Sequence, residues 1–332
     1  MEERDRFMRR AVELAAGAPD TRPNPRVGCV IVGPDGRVVG EGAHRGAGLP
    51  HAEVEALRVA GAAARGATAV VTLEPCDHTG RTGPCSEALI EAGVARVVFA
   101  QADPNPLAAG GAARLSAAGI EVESQILVEE ALALNPAWTF AMAHRRPQVV
   151  LKAATTLDGR VAAADGSSRW ITGPAAREQV QQLRAEVDAV LVGSGTVAVD
   201  DPQLSARIPG SRQPLRVVMG LRPVPAGARV RTSGPAEQFV HLATRDVTVA
   251  LDELFRRDVH LLLVEGGPTI TAAFLSAGMI DTVRWYVAGG LLGAGTPAVA
   301  DFGVSTIADM RRFELQSVTR VGTDVRIDLR RA

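Results

Sequence analysis

What most constrains this chain is a regular alternation of helical patterns with short apolar runs. Residues 52–64, AEVEALRVAGAAA, carry helical spacing. TAVVTL (68–73) reads as a β-branched strand, and PCSEALIEAG (84–93) as a helix ended by Gly93. ARVVFA (95–100) is the next strand, and GGAARLSAAGI (110–120) leads through a helix to a strand near 120–124. Strands separated by helices of this length imply right-handed crossovers and a largely parallel sheet covered on both faces. Upstream, residues 4–17 read as a helix, and VGCVIVGPDGRVVGEG reads as a hairpin turning at Pro34-Asp35-Gly36. The hairpin adds an antiparallel edge, so the first sheet is mixed. The spacing predicts one more helix over 128–144, ending at His144-Arg145-Arg146 before Pro147.

Pro147 is the expected boundary, separating 1–146 from 147–332. Beyond it a second series begins with the strand QVVLKAAT, followed by a helix at 174–186 and strands at 189–192 and 216–219. LLLVEGG (261–267) then leads into a helix at 268–277 and a strand at 281–288, while 208–260 is Pro-rich and without signature. Composition removes several classes of function. With 36 Lys+Arg against 37 Asp+Glu, no excess of positive charge is available for nucleic acid. No run of 18 apolar residues can span a membrane. The start MEERDRFMRR is charged where a secretory signal would turn apolar, which predicts a cytoplasmic protein. Three cysteines cannot form a disulfide framework and point instead to metal or redox chemistry.

Two of the three sit where metal chemistry expects them. His51-Ala52-Glu53 opens the helix at 52–64, Glu74-Pro75-Cys76 follows the strand at 68–73, and Pro84-Cys85 opens the next helix. In a parallel sheet the carboxyl ends of strands and the amino ends of the following helices share one edge, so His51, Cys76 and Cys85 arrive together. Helix N-termini also favour thiolate. One imidazole and two thiolates suit tetrahedral zinc, and three protein ligands leave the fourth position for water, whose pKa falls to about 7. Glu53 is then free to receive the water's proton, as in zinc deaminases built on His-x-Glu and a later Pro-Cys pair. Cys29, inside GCVIV, reads as core. A structural site closed by His44 or His78 would leave Glu53 without a role.

PHAEVEAL (50–57) and TLEPCDHTGRTGPC (72–85) resemble the deaminase half of the bifunctional riboflavin-biosynthesis deaminase/reductases. RPNPRVGCVIV (22–32), GEGAHRGAG (40–48) and ADPNP (102–106) are similar as well. The resemblance implies a cytidine-deaminase-like three-layer αβα domain, one zinc per chain, and substrate contacts from Asn24, His44, His78 and Arg81. Asp77 and Gly83 stand where the family pattern expects Ser and Pro.

The second half is less explicit. GSGTVA (193–198) fits Gly-x-Gly-x-x-Ala, yet Asp200-Asp201-Pro202 follows at once, so no proper helix is expected, and no acidic residue lies at the distance a Rossmann site requires. VEGGPTI (264–270) is a glycine turn from strand to helix. LKAATTLDGRVA (151–162), SSRWITG (167–173), LRAEVDAVLVGSGTVAVDDPQLSAR (183–207) and VEGGPT (264–269) resemble the reductase half of the same family. That likeness implies a dihydrofolate-reductase-like α/β domain using NADPH. By position, Ala154, Trp170, Thr196, Asp200, Gly267, Pro268 and Thr269 would contact NADPH. Ser168, Arg184, Leu204, Arg207 and Glu265 would contact the sugar-phosphate, and catalytic Lys152 would serve both ligands. Arg184 and Arg207 suit a phosphate dianion through bidentate pairing. Thr156 replaces a usual Ser, and Gly220-Leu221 replaces an Asp-Ser-like pair, which would weaken preference for the phosphorylated cofactor.

The combined reading is zinc-dependent hydrolytic deamination of 2,5-diamino-6-(5-phosphoribosylamino)pyrimidin-4-one, then NADPH reduction of its ribosyl chain to ribityl. It implies small phosphorylated pyrimidine substrates, no nucleic-acid or membrane partner, and a homo-oligomer, dimer or tetramer. Two rivals stand beside it. One is a single-function nucleoside or tRNA deaminase with a C-terminal binding module, against which the nine-residue spacing of Cys76 and Cys85 weighs. The other is a zinc-stabilised interaction protein, which needs a fourth ligand.

Overall fold

A computed structural model of the protein describes residues 3–79 and 83–332. The chain divides into two compact units, residues 1–144 and 145–332.

In the first unit, helix α1 (Glu3–Ala16) precedes the hairpin β1 (Gly28–Val32) and β2 (Val38–Ala43). There follow α2 (Ala52–Ala60), β3 (Thr68–Leu73), α3 (Cys85–Ala92), β4 (Arg96–Gln101), α4 (Gly111–Ala117) and β5 (Glu121–Glu123). Among the described residues the sheet runs β2-β1-β3-β4-β5, with β1 antiparallel to both neighbours and β3, β4 and β5 parallel. Alternation along β1 and β3 sorts the side chains. Cys29, Ile31, Ala69 and Val71 face the cluster that includes Ala56 and Leu89, while Val30, Val32 and Val70 face Phe7, Met8 and Ala11 of α1. The result is three layers, with Cys29 fully buried in the core. Glycines let α2 lie directly on β2. A Cβ on Gly42 would stand 2.3 Å from Ala52 O, and one on Gly40 would stand 2.3 Å from Ala56 O. That close approach sets the start of α2 against the sheet edge.

The single helix expected over 128–144 is two helices, α5 (Val128–Leu132) and α6 (Pro136–His144). Pro136 has no N–H to continue the ladder of α5, so it opens a new helix instead. Asn135, just before it, accepts from Arg26 N at 2.7 Å and donates to Arg26 O at 2.8 Å.

The second unit begins with β6 (Gln148–Thr156), β7 (Arg160–Ala162), α7 (Pro174–Glu186), β8 (Ala189–Gly193) and α8 (Ser194–Asp200). It continues with β9 (Leu215–Met219), α9 (Arg229–Thr232), β10 (Phe239–Leu242), α10 (Val247–Phe255), β11 (Leu261–Val264) and α11 (Pro268–Ser276). The last elements are β12 (Thr282–Ala288), β13 (Thr296–Pro297), β14 (Phe313–Val321) and β15 (Asp324–Arg331). The main sheet runs β10-β9-β8-β11-β6-β12-β15-β14, parallel from β10 to β12 and antiparallel beyond. Leu251, Leu254 and Phe274 pack on one face, and Leu183, Val197 and Leu204 on the other. The fold is α/β in both units. One expectation is corrected here: a helix does follow GSG, because α8 completes seven residues before Asp201, at φ 40, turns the chain.

Candidate active sites

The first site stands at the carboxyl edge of the first sheet. His51 caps α2, Cys76 lies three residues past β3, and Cys85 opens α3. His51 Nδ1 lies 3.1 Å from Cys85 Sγ and 3.5 Å from Cys76 Sγ. The three donor atoms all lie within 4.8 Å of one another. Two sulfurs converging on one ring nitrogen is a poor arrangement for a hydrogen bond and a good one for a soft divalent cation, so the donor set fits zinc. Cys76 is held well below the ordinary thiol range, to about 4, by Cys85 and His51 acting against its burial. Cys85, hydrogen-bonded to the Cys76 sulfur and buried, is pushed the opposite way. Glu53 is 3% exposed, and burial lifts its carboxyl to about 7 despite the pull of His51. A carboxyl poised there both takes and gives a proton near neutral pH.

Asn24 and His44 stand beside this cluster. His44 Nδ1 is 3.0 Å from Pro50 O, which only accepts, so Nδ1 carries the proton and Nε2 accepts from the Asn24 amide at 3.0 Å. The His44 ring meets His51 edge-on, 5.3 Å between centroids. Burial lowers the His44 pKa, in keeping with that neutral tautomer. His78 is exposed, and Arg81 lies outside the described residues.

Two carboxylates at this site, Glu74 and Asp103, lie in the quoted motifs without a role assigned from the sequence. Glu74 is buried and collects the backbone N–H groups of Asp103, Gly110 and Ala112 at 3.2, 3.3 and 3.0 Å, binding the Cys76 loop to the loop after β4. Asp103 is pushed up to about 6 by burial, with Glu74 and Cys76 adding to it. The Asp103-Pro104-Asn105-Pro106 turn is the nearest signal in the sequence.

The second site is a cavity of about 1300 Å³ in the second unit. Every residue singled out for the reductase lines it: Lys152, Ala154, Ser168, Trp170, Arg184, Thr196, Asp200, Leu204, Arg207, Glu265, Gly267, Pro268 and Thr269. Its size and its glycine-rich strand-to-helix turns at Gly193 and Gly267 fit a dinucleotide together with a sugar-phosphate. Trp170 is exposed, with the Arg177 guanidinium 4.5 Å from its ring centroid. Lys152 is half-buried, and desolvation depresses its pKa against the opposing pull of Glu265. Glu265 stays ionised below the ordinary range, because Arg184 and Lys152 outweigh its burial.

Two details depart from the sequence reading. Arg184 does not present a free fork to a phosphate, because its Nε and Nη2 chelate Glu265 at 2.6 and 3.0 Å. That edge of the guanidinium holds the carboxylate, and Nη1 donates to Ser205 O at 3.2 Å. The Leu204 side chain is 1% exposed in the core, so it offers the cavity backbone, held at φ 58.

Both halves of the chain are similar to known proteins. The profile of the cytidine and deoxycytidylate deaminase zinc-binding region matches residues 1–101, and that of the RibD C-terminal domain matches residues 147–327. The riboflavin biosynthesis protein RibD of Mycobacterium tuberculosis is 50% identical over 316 residues, 93% of this chain and 91% of its own. The chain belongs to the RibD family. The solved structure of Acinetobacter baumannii RibD is 41% identical, covers 99% of both chains and superposes with a TM-score of 0.86. A Thermotoga maritima structure described as a diaminohydroxyphosphoribosylaminopyrimidine deaminase/5-amino-6-(5-phosphoribosylamino)uracil reductase is 35% identical over 99% of both chains, with a TM-score of 0.81.

Like its family, the chain is a bifunctional deaminase and reductase of riboflavin biosynthesis, with zinc in the first activity and NADPH in the second. The single-function rival fails because a RibD C-terminal domain occupies the second half. Among the described residues, no helix is long and apolar enough to cross a membrane.

Proposed function

We propose that residues 1–146 hydrolyse the ring amine of 2,5-diamino-6-(5-phosphoribosylamino)pyrimidin-4-one and that residues 147–332 reduce the ribosyl chain of the product to ribityl. The observation carrying the first half is the convergence of two thiols on His51 Nδ1 beside buried Glu53. The relative from Thermotoga maritima supports the substrate.

His51, Cys76 and Cys85 would hold zinc, which when bound acidifies water to a pKa of about 7. Glu53 takes one proton from water and passes it to the ring nitrogen, then takes the second from the hydroxyl now on the ring carbon and delivers it to the leaving amine. Water's oxygen ends on the ring carbon and the amine leaves as ammonia. Asn24 and His44 orient the pyrimidine through their shared hydrogen bond. His78 and Arg81 complete the substrate contacts, Arg81 offering a cation to the phosphate.

In the second half, NADPH supplies the hydride. The hydride goes to the ribose carbon bonded to the amino nitrogen, and Lys152, with Glu265 setting its charge, protonates the ring oxygen freed as that C–O bond breaks. Arg207 meets the substrate phosphate, and Arg184 fixes Glu265. Ser168 and the Leu204 backbone position the sugar. Ala154, Trp170, Thr196, Asp200 and the Gly267-Pro268-Thr269 turn seat the cofactor.

Thiolate ligands and a reduced nicotinamide suit a reducing compartment, which supports a cytoplasmic enzyme. A homo-oligomer, dimer or tetramer, is supported by the edge strand β14, which exposes Leu315 and Val318. Zinc content, ammonia release and NADPH oxidation measured together on the pyrimidine substrate test the reading. Full deamination by metal-free protein, or no NADPH oxidation at all, would overturn it.

A further inference from the structure

Asp77 stands one residue past Cys76, where the family pattern has Ser, and the chemistry described above gives it no task. Its neighbours give it one. Zinc deaminases carry their two thiols in a Pro-Cys-x-x-Cys signature, a spacing that one turn of helix spans. Here nine positions separate Cys76 from Cys85, and only Cys85 belongs to α3. Closing a longer loop costs more chain entropy. Two thiols so far apart in sequence need something besides the helix to fix their separation.

Ser86, the residue after Cys85, is fully buried, and its hydroxyl donates to Asp77 Oδ1 at 2.6 Å. A buried hydroxyl is costly unless it is bonded, so Asp77 satisfies a group that the packing of α3 has taken from water. Ser86 N donates to Cys76 O at 3.2 Å, and Cys85 N approaches Cys76 Sγ at 3.5 Å. The segment of one cysteine is thus tied three times to the segment of the other.

A third element locks the tie. Arg114 of α4 donates from Nη1 to Asp77 Oδ1 at 3.0 Å and from Nη2 to Glu87 Oε1 at 3.3 Å. It therefore bridges the Cys76 loop and the first turn of α3. Asp77 N donates to Ala108 O at 2.9 Å, and Ala108 shares a buried cluster with both cysteines. The start of α4 lies close because residue 111 is glycine, where a Cβ would stand 1.7 Å from Pro75 O. Among the described residues, the converging metal donors are His51, Cys76 and Cys85, without Asp77. Its carboxylate is engaged by Ser86 and Arg114, which leaves the fourth metal position to water.

We propose that Asp77, clasped by Ser86 and Arg114, is a positioning residue that sets the separation of Cys76 and Cys85 and thereby the zinc affinity of this chain. The inference rests on the zinc site formed by His51, Cys76 and Cys85. A pair of thiols already in place spares the metal the cost of ordering the loop, so the clasp is expressed as tight binding and slow release.

The test is zinc affinity and zinc release of the full chain, read by competition with a chromophoric chelator. Co2+ loaded in parallel reports the thiolate ligands by its visible absorption. Asp77→Ala should lose about ten- to a hundredfold in zinc affinity, the usual effect of removing a group that supports metal ligands from behind. Release should be faster, and the thiolate absorption of its Co2+ form should weaken or shift. Ser86→Ala should also lose affinity, and it carries the test if Asp77→Ala does not fold. The double variant should lose no more than the larger single loss, because both changes remove the same bond. Asp77→Asn keeps the acceptor for Ser86 and gives up only a partly exposed ion pair, so its affinity should stay within about threefold of wild type.

Wild-type zinc affinity and release in Asp77→Ala and Ser86→Ala would overturn the inference, even with a lowered melting temperature, since a brace of the fold alone would give that result. Additive losses in the double variant would overturn it as well. So would a loss in Asp77→Asn equal to that in Asp77→Ala. A wild type that takes up no zinc would remove the metal site itself, and the inference with it.

Discussion

The two sites solve opposite problems. In the first unit, three donor atoms lie within 4.8 Å and come from one stretch of 35 residues, 51–85. In the second, a cavity of about 1300 Å³ is lined from Lys152 to Ala298. The small site binds an ion and must be tight. The large one, on the proposed reading, takes two organic ligands and must be long. Tightness comes from helix starts and strand ends meeting at one sheet edge, while length comes from crossing most of a sheet. A substitution in the first site should therefore abolish a function, and one in the second should grade it.

The sharpest break between them is His51→Ala or Cys85→Ser. Either should lose bound zinc and all ammonia release, read by metal analysis and an ammonia assay. Reduction of supplied deaminated intermediate should continue at the wild-type rate. Cys29→Ala, a core change, should lose neither metal nor deamination. If the first substitutions also stop reduction, the two sites are not separable.

Glu53→Gln comes next. Zinc should stay bound while deamination falls about 10²–10⁴-fold, the usual worth of general acid–base catalysis. Zinc lost in proportion to activity would make Glu53 a ligand and not a proton carrier.

In the large site, Glu265→Gln would leave Arg184 buried without its carboxylate. Breaking such a pair costs about 3–5 kcal/mol, visible in the unfolding of the second unit. The sign with pH follows from the same pair. Glu265 is held ionised below the ordinary carboxylate range, so its stabilisation is present above that range and is lost as pH falls through its lowered value. Acid unfolding of wild type should show this loss, and Glu265→Gln should not.

Lys152→Ala and Arg207→Ala should each cut NADPH oxidation about ten- to a hundredfold, or roughly 1.5–3 kcal/mol per charge-assisted contact. Zinc and ammonia release should be untouched. Intact reduction in both would move the hydride site elsewhere. The smallest effect is expected from Asn135→Ala, which removes two hydrogen bonds to Arg26, about 1–3 kcal/mol. It should raise the deaminase KM with zinc retained, whereas an unchanged KM would make the contact purely structural.

The same contrast explains what the sequence made legible. The metal cluster could be read because its ligands sit at element boundaries, where Pro, Gly and helix starts mark the chain. Most strands of both sheets could be read because buried β-branched runs such as TAVVTL and LLLV are dense. By contrast, α10 was hidden because VTVAL is β-branched, and only its Asp246 cap announces a helix. Strands β14 and β15 mix charge and apolar residues at the sheet edge, with β14 largely exposed, so they lack the density of the core strands. The Arg184–Glu265 pair could not be foreseen either, since 81 residues separate partners that meet only in the folded unit. Resemblance found the cavity's residues, but geometry assigned Arg184 to its neighbour.

The clasp between Asn135 and Arg26 also bears on how this protein matures on the ribosome. All three metal donors have been synthesised by residue 85, and the segment carrying Asn24 is older still. Yet the Arg26 backbone is secured only once Asn135 has emerged, 109 residues later. With domains folding largely as they are made, the nascent chain can bring its metal donors together well before the Arg26 loop is fastened. The residues past the matched 1–101 region thus take part in the folding of the first unit, and the Arg26 segment is fastened late in it.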